Sequence, residues 1–356
     1  MIRAVKSVAD MPAYALADLG NSAAISLAQN ECAFAPSPAA IDAGRQALRD
    51  GPLYPDPDWE DLRRAIAEVH AVPPEQVLCG AGSMELIGCV IRAFAGPGDE
   101  VLASQYGYLF AATATQQAGA TYIAASETGF TVSVARMLKK VTARTRVVFI
   151  CNPGNPTGTR IANAEISRLR DGLPDKVLLV VDQAYGEFDD QDPREAFALV
   201  ARGNTIVIRS FSKAYGLASA RVGWGLFPGT IALEVRKLLN PNNVPRVSQQ
   251  MAAAAMRDQA HMRGIVSQTA QIRDDFSRQL RQAGLTVPES HTNFVLIAYA
   301  SAERAIRADN LLRAEGYVVR AMGGYGLGSC LRVTIGTQDV MSTVADILVR
   351  EAADEK

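Results

Sequence analysis

The chain has 356 residues, 48% hydrophobic and 21% charged, with a formal net charge of -1. That length gives one large domain or two ordinary ones with a real core, and the near-neutral balance offers no basic field to nucleic acid or an anionic membrane. No apolar run reaches the length of a membrane span and the N-terminus shows no cleavage signal, so a cytoplasmic protein acting on small molecules is expected.

Residues 1–35, punctuated by Pro12, Gly20 and Pro36, read as an irregular arm. A helix is expected after Ser37-Pro38, ended by Gly51-Pro52. A stiff turn, Leu53-Tyr54-Pro55-Asp56-Pro57-Asp58, leads into a helix over 59–69 with Leu62, Ile66 and Val69 on one face. A short strand at 77–79 opens into Gly80-Ala81-Gly82-Ser83-Met84-Glu85 and an apolar helix. Such a strand-to-helix turn is a good anion seat, because free amides and the helix dipole both point outward. As a dinucleotide fingerprint it fails, since Glu85 stands where the third glycine belongs.

Apolar runs at 101–103, 122–124, 147–151, 177–181 and 205–208 alternate with helical stretches, the pattern of βα units around a mostly parallel sheet covered on both faces. Helices are expected at 231–239 and over 247–283. The remainder, with strands at 293–298, 317–320 and 330–335 and helices at 301–314 and 338–352, reads as a smaller α+β domain. The division expected is an arm at 1–35, a large domain at 36–245 and a small domain at 246–356 whose helical linker covers about 246–285.

Ligands of parallel sheets collect at the carboxyl ends of strands, and the conspicuous motifs lie there. Tyr106 follows the strand at 101–103 and suits either core packing or stacking on a flat ring. Cys151-Asn152-Pro153-Gly154-Asn155-Pro156-Thr157-Gly158 has the composition of a turn, but holds two asparagines between prolines at a strand end. Asp182 ends a fully apolar run; it could cap a helix or, ionised beside a pyridine, keep the ring nitrogen protonated. The segment 209–224, RSFSKAYGLASARVGW, gathers Ser210, Ser212, Lys213 and Arg221 in one bend. Two hydroxyls and a guanidinium can hold a phosphate, and a lysine whose pKa is depressed can condense with an aldehyde. Together they describe a seat for pyridoxal phosphate. Arg332, inside the apolar strand at 330–335, requires an anion, either a protein carboxylate or a substrate.

Ser-x-Ser-Lys followed by Arg-x-Gly resembles the cofactor-lysine segment of the class I/II (fold-type I) aminotransferases, in the branch that includes histidinol-phosphate aminotransferase. The likeness extends to Asn-Pro-x-Asn-Pro-Thr-Gly and Leu-Arg-Val, and covers nearly the whole chain. It implies a large pyridoxal-phosphate-binding α/β domain with a smaller α+β domain. It also implies that Lys213 carries the cofactor, that Asp182 faces the ring nitrogen, and that Asn155 and Tyr185 face the ring hydroxyl. Tyr106 would stack on the ring. Ser210, Ser212, Arg221 and the amides of Gly82, Ser83 and Met84 would hold the phosphate, joined by Tyr54 reaching across a homodimer. Arg332 would pair with the substrate carboxylate, and Arg320 and Tyr14 with a second phosphate.

The implied reaction moves an amino group from an amino acid or amino-alcohol phosphate to a 2-oxo acid. The family's Pro-Tyr-x-Pro-Gly and Asn-Glu-Asn-Pro read Ala13-Tyr14-Ala15-Leu16-Ala17 and Asn30-Glu31-Cys32-Ala33 here. The donor therefore stays open between histidinol phosphate and an aromatic or other amino acid. A decarboxylase of the same fold would share the cofactor residues; a non-catalytic sensor would need a basic helix-turn-helix domain, for which the arm has no room. Five cysteines without a C-x-x-C read as reduced core thiols, and His70, His261 and His291 are too scattered for a metal site.

Overall fold

The computed structural model describes residues 2–11 and 24–353. Among them are twelve strands: β1 (Ile25–Ser26), β2 (Val77–Gly80), β3 (Glu100–Ser104), β4 (Thr121–Ala125), β5 (Thr145–Cys151), β6 (Leu178–Asp182), β7 (Thr205–Ser210), β8 (Gly223–Leu226), β9 (Phe294–Ala298), β10 (Tyr317–Val318), β11 (Arg320–Ala321) and β12 (Cys330–Thr334). Seven form one sheet in the order β2-β8-β7-β6-β5-β3-β4. β3 through β7 pair in parallel, and β8 runs antiparallel to both β7 and β2. The expected mixed α/β fold with a large, mainly parallel sheet is thus what the chain adopts. β6 and β7 are buried at every position, which is why 178–181 and 206–208 within them read as apolar runs.

Register brings the strand ends to one rim. Cys151 lies opposite Asp182, and Asp182 opposite Ile208, so the residues just beyond β5, β6 and β7 converge. Gly223 of β8 is paired with Ser210 on one side and Gly80 on the other. A Cβ on Gly223 would run into the backbone of Gly82 and Ser83, so only glycine lets the start of helix Ser83–Phe94 sit against β8. The sequence pattern does not announce this strand, because Gly223 and Gly225 weaken the β signal.

Two large apolar cores are present. The first surrounds the seven-stranded sheet, and the second gathers Leu27, Ile272, Phe276, Leu280 and alternate residues of β9 and β12 under helices Ala302–Ala314 and Gln338–Ala353. The change from one to the other falls inside the 24-residue helix Gln259–Gln282, which gives Met262 to the first core and Ile272 to the second. Helix Arg246–Arg257, expected to belong with the smaller domain, contributes Ala252, Ala253 and Met256 to the first core. Nor is the segment before residue 35 wholly irregular: β1 pairs in parallel with β10, and Leu27 enters the second core.

The expected strand at 317–320 is two strands in two different sheets, β10 with β1 and β11 with β12. In β12, Leu331 and Val333 point into the second core, so the period of two turns Arg332 and Thr334 to the opposite face, towards the large sheet. All five cysteines are free thiols, four of them buried. Among the described residues no helix is long and apolar enough to cross a membrane.

Candidate active site

A cavity of about 530 Å³ opens at the rim where the strands end. Its wall includes Ser83, Met84, Asn155, Asp182, Tyr185, Ser210, Ser212, Lys213, Arg221, Arg320 and Arg332, which the sequence singles out, Asn30, which it marks only as part of an altered motif, and Gln29, Tyr108 and Tyr325, which it does not mark. Gly82 stands just behind, at the uncapped start of helix Ser83–Phe94. Tyr14 lies outside the described residues.

One end of the cavity is a cup for an anion. Arg221 holds a left-handed backbone (φ 53°), and its Nη1 donates to the Ala218 carbonyl at 2.9 Å and to Ser212 Oγ at 3.4 Å. Ser210 Oγ accepts from the Ser212 amide at 3.0 Å. Gly82 adopts φ 81°, and a Cβ there would lie 2.5 Å from Arg221 Nη2, so the absence of a side chain lets the guanidinium lie over the helix start.

Lys213 stands half-buried beside this cup. Its Nζ donates to the carbonyls of Asn30 at 2.8 Å and Gln29 at 3.2 Å, and lies 5.8 Å from the centre of the Tyr185 ring. Burial, helped by the positive charges of Arg332 and Arg221, draws its pKa down to about 7. Asp182 accepts from the Ala184 amide at 3.0 Å and has no cationic side chain paired with it among the described residues; burial raises its pKa to about 7. The Tyr185 hydroxyl accepts from Asn30 Nδ2 at 2.8 Å, and burial pushes its pKa up.

The two asparagines of the proline-rich loop do different work. Asn152 clamps the loop through Ile161, accepting from its amide at 2.8 Å and donating to its carbonyl at 3.1 Å. Asn155 faces the cavity, and its Oδ1 accepts from Arg332 Nη1 at 2.6 Å, which leaves its amide nitrogen to donate elsewhere. Arg332 also donates to the Ala28 carbonyl at 2.8 Å, and its Nε is buried without a partner. No protein carboxylate pairs with Arg332 among the described residues, which removes one of its two expected partners. Burial lowers its pKa. Arg320 stands directly opposite it in the β11–β12 ladder, placing two guanidinium groups on one wall.

Two aromatic residues named above lie outside the cavity wall of this chain. Tyr106 is outside the cavity: its amide donates to Glu127 Oε1 at 3.2 Å, and its ring packs on Phe130, with centroids 6.2 Å apart, in the cluster around Met322 and Leu327. The turn from Ser104 to Gly107 directs it there, and Tyr108, two residues on, reaches the cavity instead. Tyr54 is 83% exposed and does not line the cavity of its own chain, as a residue reaching a partner would not; its carbonyl accepts from Arg246 at 2.8 Å.

An anion cup, a depressed lysine and a lone buried carboxylate at the carboxyl rim of a mainly parallel sheet define a group-transfer enzyme of fold type I. Residues 22–348 match the family described as aminotransferase class I and II. The chain is 43% identical over 317 residues to histidinol-phosphate aminotransferase of Paramagnetospirillum magneticum, covering 88% of this chain and 87% of that one. It is 40% identical to that of Jannaschia sp., covering 91% and 90%. The crystal structure of histidinol-phosphate aminotransferase from Sinorhizobium meliloti in complex with pyridoxal-5'-phosphate superposes with a TM-score of 0.92 at 27% identity, over 100% of this chain and 99% of that one. This chain belongs to the class I and II aminotransferase family and is an aminotransferase.

Proposed function

We propose that the cavity seats pyridoxal 5'-phosphate and that the amino donor is histidinol phosphate, with a 2-oxo acid such as 2-oxoglutarate as acceptor. The observation that carries the cofactor reading is Asp182, a buried carboxylate with no cation beside it among the described residues, set at the same rim as Lys213 and the anion cup. A protonated ring nitrogen supplies the missing charge, and a phosphate suits Ser210, Ser212, Arg221 and the first amides of helix Ser83–Phe94. Asn155 and Tyr185 would bond a ring hydroxyl, and Tyr108 would take the stacking role expected of Tyr106. When bound, the cofactor supplies an aldehyde that receives the amino group and an electron-poor ring that accepts the electron pair left at the substrate Cα.

The chain's own residues then have separable tasks. Lys213, with a pKa of about 7, is partly neutral at physiological pH, so its Nζ can take the proton from the substrate Cα and pass it on. Asp182, once a cation lies beside it, stays ionised and fixes the charge of the ring. Arg332 and Arg320 form a paired cationic wall suited to the phosphate of one substrate and the carboxylate of the other. We further propose a cytoplasmic homodimer, in which free thiols stay reduced. Tyr54, beside exposed Leu48 and Leu53, would reach the partner's phosphate cup. Tyr14 is proposed to join the second phosphate site.

Purified protein supplied with pyridoxal phosphate, histidinol phosphate and 2-oxoglutarate is expected to form glutamate. Glutamate from an aromatic amino acid but not from histidinol phosphate would reassign the donor. No cofactor fixed to Lys213 by borohydride would overturn the site itself.

A further inference from the structure

Residues 27–31 form a strap between the two cores. Its start is tied to the second core, where the Leu27 amide donates to the Val318 carbonyl at 2.7 Å and the Leu27 carbonyl accepts from the Thr334 amide at 2.9 Å. Its middle meets the cavity: Ala28 offers its carbonyl to Arg332, and Gln29 and Asn30 offer theirs to Lys213. Asn30 holds a left-handed backbone (φ 54°) and donates its amide N–H to Thr334 Oγ1 at 2.9 Å. Asn293, 2% exposed and one residue before β9, donates its side-chain amide to the carbonyls of Asn30 at 3.1 Å and Glu31 at 3.2 Å. The Asn30 carbonyl therefore has two donors, Lys213 and Asn293, which use both its lone pairs.

On the reading that Lys213 is the reacting amine, we infer that Asn293 is a positioning residue: by donating to the Asn30 and Glu31 carbonyls it fixes the strap on which the free Lys213 amine rests. Three observations support this. The amide of Asn293 bridges two successive carbonyls, a geometry that fixes the direction of the Asn30 carbonyl. Its own Oδ1 is buried without a partner, a cost that an apolar residue at 293 would avoid. And the strap residue it holds also sets Tyr185, through Asn30 Nδ2. The other charged or titratable groups acting on Lys213 are Arg332 and Arg221, which disfavour its protonated form, and Glu31 and Cys32, which favour it; the Tyr185 ring lies alongside.

Removing the Asn293 amide leaves the Asn30 carbonyl wholly to Lys213 and frees the strap to admit water. Both changes favour the ammonium form. The test is the pH dependence of Lys213 acylation in the full-length, cofactor-free protein, read by peptide mass spectrometry. In the unsubstituted protein the midpoint is expected near 7. In Asn293→Ala it is expected to rise by roughly 0.5–1 pH unit. Asn204→Ala removes a comparable bond, Nδ2 to the Asp175 carbonyl at 2.9 Å on an exposed loop, and is expected to leave the midpoint in place.

If Asn293→Ala is not recovered folded, Asn293→Ser, with one donor where the amide has two, is expected to shift the midpoint in the same direction. A folded Asn293 variant that melts earlier but keeps the midpoint of the unsubstituted protein would show a structural residue only and overturn the inference. An unsubstituted midpoint near that of an ordinary lysine, about 10.4, would overturn the reading of Lys213 beneath it.

Discussion

The floor of the cavity and its outer wall are built on opposite plans. The floor, from Ser83 through Asn155, Asp182 and Ser210 to Arg221, comes from successive strand ends of one sheet, and its residues meet because β5, β6 and β7 are in register. The wall comes from residues 27–31, β11 and β12, which meet only because a strand near the N-terminus pairs with one near residue 317. On the floor, then, function depends on local motif and parallel topology. On the wall it depends on contacts spanning about three hundred residues, such as the 304-residue separation between Ala28 and Arg332.

Substitutions can separate the two. The largest effect is expected on the floor: Lys213→Ala should cut turnover on the order of 10⁴-fold or more while the protein still retains cofactor through its phosphate. Single-turnover assays and cofactor fluorescence after desalting check the two halves. Next comes Asp182→Asn, for which a loss of roughly 10²–10⁴-fold in turnover is expected.

The same variant should stabilise the cofactor-free protein. Asp182 has its pKa raised to about 7 when folded, so between the unfolded value and about 7 the folded state binds the extra proton. Its contribution to stability therefore falls as pH rises through that window. Asparagine removes that dependence, and thermal melts at pH 8 should show the variant higher by roughly 5 °C. A variant that melts lower would mean that Asp182 has a protein partner after all.

On the wall the effects should be smaller and confined to substrate. Arg332→Lys keeps the charge but loses the planar fork, and should weaken amino-acid binding by about 1.5–3 kcal/mol, seen as a raised KM. Unchanged KM would make Arg332 a structural residue held by Asn155 and Ala28. The smallest expected effect distinguishes two neighbouring rings. Tyr108→Ala should weaken cofactor binding by about 0.5–1.5 kcal/mol, whereas Tyr106→Ala should leave cofactor affinity nearly unchanged. Equilibrium titration with pyridoxal phosphate measures both.

The same contrast explains how much is legible in the amino-acid order alone. Asp182 and Lys213 are legible because buried parallel strands announce themselves as apolar runs, and the residues just after such a run lie at the rim. The parts of the floor that are not legible are local exceptions. β8 is masked by its glycines, and the turn at Gly107 exchanges Tyr106 for Tyr108. The wall is legible only where a residue breaks a pattern, as Arg332 breaks an apolar strand. Nothing in the run 27–31 or at Asn293 predicts that they meet, since their hydrogen bonds exist only after the two cores have docked. The position of the changeover inside helix Gln259–Gln282 is hidden for the same reason: its period is unbroken, and only the identity of the core on either side changes.

The alternation along β12 has a consequence for how this sequence can vary. Leu331 and Val333 serve the second core while Arg332 lines the cavity and Thr334 holds Asn30 of the strap. An insertion or deletion of one codon within this strand would turn the guanidinium into hydrocarbon and present leucine to the cavity, so drift here is restricted to exchanges that preserve the count.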